Sequence, residues 1–587
     1  MTPLLKRFFE TLTAARLGSG DDSAEAGSTT LSQRSVEALQ QGRESSKVAG
    51  VLGANGVLRF VLYAGIGAVV GAIVALVEWV SIEVMLHRLE DVPLYVQALA
   101  PVVGLGVAAA ILRFFWRTDS ATSDMYVQAY HGNAEFESRR FLPKLAAAIA
   151  TVGSGGALGL EGPSIYAGSS VGQAVGRRRL PFLGTRSPRV LMAAGAAAGV
   201  AAVFKAPATG VLFALEAPYR RDVARHALIP ALVASSAAYI TLISFLGSDR
   251  LLSFGATDFS FNDEVAGALV LGVFAGITAR GVAKLFHHAK DLAHTTSFAL
   301  RLPAAGAAII VAAVSANALV DRAVTLGPGA ELISEIVLDP TISVWTIIAL
   351  FGLRALSTSA ALAAGGVGGV FIPLVVQGLL LGRVVEVIFD APSNGLYPVV
   401  GLAAVLGAGY RTPLAAVMFV AESTGRAEFV IPALLATAVS QSLMGEESVS
   451  VGQVGERVGQ LERRLGLPTS EVMIPISGLV APDDTLLEVI DELGADPQFL
   501  VVPVYDTEYH GLLVLSDMAP SLMTLGMEST VGDIVRDVPA VGAEVLARDA
   551  AEQLSTYNAA ALAVLDTDGV PIGVVTATSL AGLDHLD

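Results

Sequence analysis

The sequence predicts an all-α polytopic membrane domain of two inverted repeats with a C-terminal α/β pair, and three observations carry that prediction. The 587 residues are 53% hydrophobic and 16% charged, against about 25% charged in soluble domains, and the mean hydropathy is +0.63. Two separate motifs bearing glycine or proline recur in the same order in the two halves of the apolar region. From residue 469 the pattern changes to short alternating strands that follow amphipathic helical segments twice over.

Residues 1–56, with stretches such as GSGDDSAEAGS and no sustained period, read as a tail on the cytoplasmic side. Residues 57–446 read as the transmembrane domain. The runs Val57–Val84, Leu94–Phe115, Leu228–Leu246, Ala266–Ala283, Leu302–Leu319 and Ser343–Ala364 are each near or above the length needed to span hydrocarbon. No small-residue cleavage site accompanies the first run, so a cleaved signal peptide is not expected. The chain has no cysteine, which excludes disulfides, thiol catalysis and thiolate metal sites. Basic residues gather at Arg177–Arg179, Arg186–Arg189 and Arg220–Arg225, and would mark one cytoplasmic face if those loops share it. Apolar segments 190–203 and 206–216 are too short or too glycine-rich to span simply, which suggests half-helices ending inside the membrane.

The internal repeat is specific. KAPATGVLFALE (Lys205–Glu216) and RTPLAAVMFVAE (Arg411–Glu422) share a base, any residue, proline, then an apolar run ending in glutamate. Upstream lie EGPSIYAGSSVG (Glu161–Gly172) and GGVFIPLVVQG (Gly368–Gly378); Pro163 precedes Pro207 by 44 residues and Pro373 precedes Pro413 by 40. Matching interrupted helices in two halves point to a binding site near the bilayer midplane.

A helix that begins at a glycine-proline turn inside a membrane directs unpaired amide groups and a partial positive charge at whatever lies before it. Such a terminus attracts an anion without the full countercharge that would hold it too tightly. Two of them, at Leu160–Pro163 and Val370–Pro373, are candidates to converge. Glycine-mediated helix packing accounts for the glycines, but not for Glu161, a carboxylate expensive to bury in a membrane. Itself an anion, Glu161 can occupy the site it guards, and protonation would release the site to a diffusible anion.

With these motifs the chain resembles the CLC family of chloride channels and transporters, with a C-terminal pair of CBS domains. GLEGP (Gly159–Pro163), GGVFIP (Gly368–Pro373), KAPATGVLFALE and YRTPLAAVMFVAE carry the resemblance, which extends from about residue 57 to the end. It implies a homodimer in the cell membrane, in contact with lipid, with one pathway per subunit for chloride or a similar small anion. Glu161 would be the gating residue. The anion would bind at amides of Val370, Phe371 and Ile372 and around Gly159, Leu160 and Gly162.

Three departures bear on mechanism. Where the family has a GSGIP-like motif whose serine helps hold the anion, this chain has DSATSDMYVQAYHG; an ungapped register places Ser120 at the serine, and a slip offers Thr122 or Ser123 instead. The family's second central ligand is a tyrosine, and the matching stretch LMGEESVSVGQ offers Val449. Family antiporters commonly carry an inward-facing glutamate after the acid that Glu216 matches, and here Ala217 occupies that place as a lost proton-relay position. The reading favours channel-like passive conduction, with proton-coupled chloride antiport as the alternative.

Residues 447–468 read as a linker and 469–587 as tandem CBS domains on the cytoplasmic side. From Glu447 onward there are 23 acidic and 5 basic residues, a balance of −18, so the rest of the chain is close to neutral within the net charge of −17. A family nucleotide pattern is half kept on each side: Asp517 remains with Val514 at the threonine position, and Thr576 remains with Ser579 at the aspartate position. Loss of adenine-nucleotide binding in favour of dimer stabilisation is the expectation, with no cofactor and no nucleic-acid partner. An intramembrane enzyme built on Ser154 lacks a nearby base in any apolar run, and no HExxH motif exists for a zinc protease. A cation transporter would be expected to place more carboxylates in the membrane than Glu161, Glu216 and Glu422.

Overall fold

A computed structural model describes residues 54–582 except 117, 133–135, 137–139, 179–187, 249–251, 253–260, 330–331, 338, 392–394, 457–459, 477, 494–500 and 527. The N-terminal tail up to residue 53 and part of the Arg186–Arg189 cluster therefore lie outside the described residues. The chain divides after residue 456 into two compact units.

The first unit is helical. In order it contains α1 (Ala54–Glu78), α2 (Leu94–Ala110), α3 (Ser123–His131), α4 (Phe141–Gly153), α5 (Glu161–Gly176), α6 (Pro188–Val203), α7 (Pro207–Glu216), α8 (Leu228–Leu246), α9 (Phe261–Thr295), α10 (Phe298–Val320), α11 (Val344–Ala363), α12 (Phe371–Ile388), α13 (Leu396–Tyr410), α14 (Pro413–Thr424) and α15 (Val430–Leu443). Seven helices among the described residues are long and apolar enough to cross a membrane. The six apolar runs of the sequence fall on six of them, and α12 is the seventh. The helix α9 extends well past its apolar run into a polar end, where Lys290 donates to Asp124 at 2.7 Å and to the Val449 carbonyl at 3.1 Å.

Short helices pair in the same way in both repeats. On α5 and α6, a methyl group on Gly168 would overlap the Gly195 carbonyl and one on Gly195 would overlap that of Gly168; Gly378 on α12 and Gly401 on α13 face each other likewise. Small residues let these backbones touch, which is how helices associate where lipid removes the hydrophobic drive. Each pair then breaks alike. Lys205 and Arg411 adopt left-handed φ of 52° and 58°, and Pro207 and Pro413 open α7 and α14. The base-x-Pro motif is thus a stop followed at once by a restart.

Arg354 on α11 is fully buried and donates to the carbonyls of Thr325, Gly327 and Pro328 at 3.0, 2.7 and 2.6 Å. A planar guanidinium satisfies three acceptors of one loop that no helix could reach. Replacing it with Met leaves these buried carbonyls without a donor, at about 1–3 kcal/mol each. A lowered aggregation temperature, followed by size-exclusion chromatography of heated detergent extracts, is the measurement; an unchanged profile would contradict this role.

The second unit is α/β. Beyond two short helices, α16 (Gln460–Leu465) and α17 (Thr469–Val472), it contains β1 (Ile474–Pro475), α18 (Leu486–Leu493), β2 (Val501–Tyr505), β3 (Tyr509–Val514), α19 (Leu515–Leu525), β4 (Val541–Gly542), α20 (Ala547–Thr556), β5 (Ala561–Leu565), β6 (Pro571–Thr576) and α21 (Ala577–Ala581). The hairpin β2–β3 is antiparallel, and a four-stranded sheet runs β1-β6-β5-β4 with β4 parallel to β5. Both hairpins shift register at the same point, between Val504 and Tyr505 and between Val564 and Leu565. Val501 and Leu512 of one pack with Ala561, Ala563 and Val574 of the other. The doubled pattern of the sequence is a doubled structure.

Candidate functional site

The two glycine-proline turns meet. Gly159 donates to the Gly369 carbonyl at 3.0 Å and Gly369 returns a bond to the Gly159 carbonyl at 2.8 Å, so the loops before α5 and α12 form a small antiparallel bridge. A threonine of each repeat pins the other's loop. Thr358 on α11 donates to the Ala157 carbonyl at 3.0 Å, and the Thr151 hydroxyl on α4 accepts the Val367 amide at 3.2 Å. Backbone that is not helical at membrane depth survives only where protein satisfies it, and these bonds do so.

Glu161, 1% exposed, is the first residue of α5 but spends its carboxylate on the other repeat. Its Oε1 accepts the Phe371 amide, which opens α12, at 2.6 Å, and the amides of Ile372 and of Glu161 itself also face the carboxylate. Oε2 is buried with no hydrogen-bond partner among the described residues. Gly159 and Gly369 flank the carboxylate so closely that a side chain on either would collide with it, which is why both must be glycine. The Phe371 ring is fixed by Phe204 at 4.2 Å, Phe419 at 5.2 Å, Phe213 at 5.7 Å and Tyr410 at 6.1 Å between centroids. Aromatic walls from both repeats therefore hold the amide donors in place.

The remaining candidates separate. Thr122 is buried, and its hydroxyl lies where a side chain on Gly162 would stand, a space also bordered by the Gly368–Gly369 backbone. Ser123 starts α3 on the side of Tyr410. Ser120 instead lines a different cavity with Arg113, His294 and Arg301. Leu160 uses its carbonyl inside α5, accepting Ser164, and Val370 precedes α12 as its cap residue. Ala217 is buried just after α7; the Gln453 amide donates to its carbonyl at 2.8 Å and to that of Tyr410 at 3.0 Å. His131 lies close by, its Nε2 2.6 Å from the Pro218 carbonyl and its ring 5.0 Å from that of Tyr219.

Glu216 and Glu422 are more than helix ends. Glu216 accepts the Leu414 and Ala415 amides at 3.1 and 2.8 Å, capping α14. Glu422 accepts the Ala208 and Thr209 amides at 2.9 and 2.8 Å and the Thr209 hydroxyl at 2.7 Å, capping α7. Each acid that closes one repeat's motif caps the first turn of the other's. The matched spacing of the two motifs was the available signal; the exchange of partners was not.

A family profile described as voltage-gated chloride channel matches residues 103–445 of this chain. The chain belongs to the CLC family. A CBS-domain profile matches residues 531–584. Among curated relatives, a protein described as a ClcB-like chloride channel protein of Ralstonia nicotianae is 28% identical over 357 residues, covering 59% of this chain and 81% of the relative. The H(+)/Cl(-) exchange transporter ClcA of Salmonella paratyphi A is 28% identical over 327 residues, 52% of this chain and 67% of its own. Among solved structures, a slow cyanobacterial Cl-/H+ antiporter superposes with a TM-score of 0.58 at 21% identity, covering 66% of this chain and 96% of that one. A eukaryotic CLC transporter gives 0.56 at 18% identity over 89% of this chain and 98% of its own. The all-α membrane fold with its CBS region is therefore that of CLC proteins, and the chain is a multi-pass membrane protein of an anion-transporting family.

In the CBS region, both residues kept from the nucleotide pattern have local bonds. Asp517 pairs with Arg536 at 2.6 Å, and Thr576 and Ser579 cap α21 reciprocally.

Proposed function

We propose that this CLC protein exchanges chloride or a similar small anion for protons across the cell membrane, with Glu161 as both gate and proton carrier. The observation that carries the reading is the Glu161 carboxylate seated on the α12 amides, where a free anion would otherwise bind. An ionised Glu161 competes with the anion for those donors; a protonated one gives them up. Its unpartnered Oε2 is the atom on which that proton would sit. One side chain then alternates between anion surrogate and proton load, which is the minimum needed for exchange. The exchanger named among the relatives supports coupling over passive conduction, as does His131 beside the position where a second acid is missing.

The protein works as a homodimer with its N-terminal tail and CBS pair on the cytoplasmic side, a placement supported by the Arg220 and Arg221 pairing with Glu446 at 2.8 and 2.9 Å on the rule that basic loops stay inside. The CBS pair binds no adenine nucleotide, because Asp517 and Thr576 are committed to Arg536 and Ser579. Passive conduction is the second reading, favoured by Ala217, which cannot carry a proton, while Glu216 is committed to capping α14.

Proteoliposomes separate the two. With a chloride gradient and no proton gradient, exchange moves protons uphill, and a proton ionophore collapses the signal. Chloride flux without any proton movement would establish the passive reading instead.

A further inference from the structure

The cavity that Ser120 lines encloses about 1120 Å³ where α2 and α9 end and α10 begins. That position is a membrane boundary. The apolar run of α2 stops at Arg113, α9 turns polar from Lys284 onward, and Arg301 is the only charged residue of α10, in its first turn. Gly106, Ala109 and Ala110 of α2 and Phe298 of α10 supply apolar walls. Val107, Phe114 and Leu300 beside them are exposed, as side chains that meet lipid are.

The polar end of the cavity is basic. Arg113, His294 and Arg301 line it, and Asp119, the one carboxylate among its described lining residues, is bonded to the buried Lys144 at 2.8 Å. Arg301 is held in place: its guanidinium lies 5.7 Å from the Phe298 ring centroid, and a side chain on Gly365 would stand 3.3 Å from its Nη2. Its Nε is buried with no hydrogen-bond partner among the described residues. Arg113 stands within electrostatic reach of it. Two like charges therefore share one cavity with no free acid, and where the dielectric is low they repel unless an anion joins them.

Size and lining together define the occupant. A halide is far smaller than the space, and a soluble phosphate compound would make no use of the apolar walls. A phospholipid has a phosphate to match the guanidinium forks and acyl chains to cover the apolar side. Basic pockets between transmembrane helices at the membrane surface take anionic headgroups in this way.

We propose that this cavity binds the phosphate headgroup of an anionic membrane phospholipid, with Arg113 and Arg301 as its ligands and the acyl chains lying along the seam of α2 and α10. Bound there, the phosphate neutralises both arginines and holds Arg301 against Gly365, the start of the loop whose Gly369 bridges to Gly159. The proposal requires only a membrane-embedded chain and is independent of whether anion transport is coupled or passive.

The test is native mass spectrometry of the purified full-length protein, stripped of lipid in detergent and titrated with dioleoylphosphatidylglycerol or dioleoylphosphatidylcholine. The wild type is expected to bind the anionic lipid about tenfold or more tightly than the zwitterionic one. Arg113→Gln should weaken that binding about fivefold, and Arg113→Gln combined with Arg301→Gln about thirtyfold, at the worth of a basic side chain near a lipid surface. Arg113 is exposed, so its single variant reads the site even if loss of Arg301 disturbs folding. Arg88→Gln, which removes an exposed arginine ahead of α2 at the opposite end of that helix, should keep wild-type affinity. Equal binding of the two lipids by the wild type, or undiminished phosphatidylglycerol binding by the Arg113 variant, would overturn the site. Displacement of the lipid by an equal concentration of glycerol 3-phosphate would overturn its assignment to lipid.

Discussion

Replacing Glu161 with Gln or Ala is expected to abolish proton coupling and flatten the pH dependence of anion flux while flux itself continues. In the wild type, the ionised carboxylate occupies the α12 amides and the anion must wait for protonation. Flux therefore rises as pH falls, by up to roughly tenfold per pH unit where Glu161 is mostly ionised, since one proton opens the site. Glutamine is neutral at every pH, and alanine leaves the Phe371 and Ile372 amides open to the anion. Both variants should vary less than about twofold over the same range by that one-proton rule, and a chloride gradient should no longer move protons. Chloride-electrode and pH-electrode traces on matched proteoliposomes provide both readings. Retention of wild-type pH dependence in Glu161→Gln would remove Glu161 from the gate.

The second large effect is on stability. Glu422→Ala leaves the Ala208 and Thr209 amides and the Thr209 hydroxyl without their acceptor, and buried donors so stranded cost about 1–3 kcal/mol each. Glu216→Ala does the same to the Leu414 and Ala415 amides. Because Pro207 and Pro413 contribute no amide, these are the first donors that α7 and α14 possess, and no residue before them can substitute. Loss of several kcal/mol is expected for either variant. Glutamine at the same positions keeps one accepting oxygen but sets its NH2 against a backbone amide that the second carboxylate oxygen accepts, so at least one donor stays unpaired at about 1–3 kcal/mol, besides the lost charge–dipole attraction. Thermal unfolding of purified variants in detergent should therefore rank alanine below glutamine and glutamine clearly below wild type. Alanine variants as stable as wild type would show that water or another group caps these helices.

The contrast between these sites explains what the residue string could disclose. Gly159, Gly369 and the two proline turns were legible because a close backbone approach and a helix start each demand particular residue types. Repetition with matched spacing then implied that the turns converge. Glu161 stood out because a carboxylate in apolar sequence requires a reason. Glu216 and Glu422 were visible as the closing letters of two matched motifs, but a cap supplied across some 200 residues leaves no local trace. Tyr410 is the first letter of the quoted stretch YRTPLAAVMFVAE, yet nothing around it states where its ring points. Counting register along the chain leads to Val449, and only packing shows its amide bonded to the Gly409 carbonyl beside Tyr410. The Ser120, Thr122 and Ser123 ambiguity had the same origin: without the glycine and proline of the usual motif, three hydroxyl-bearing residues within four positions could not be ordered before α3 was placed.

The exchange of glutamates between α7 and α14 also constrains how the molecule is born. Thr209 waits for an acceptor that lies 213 residues further along the chain, so the N-terminal half leaves the ribosome with exposed amides that hydrocarbon cannot satisfy. Until its counterpart has been synthesised, that half must keep α7 at the bilayer surface or shielded by the insertion machinery. The caps of α7 and α14 therefore close only when both halves are present, and two separately expressed fragments are expected to be more stable when made together than either is alone.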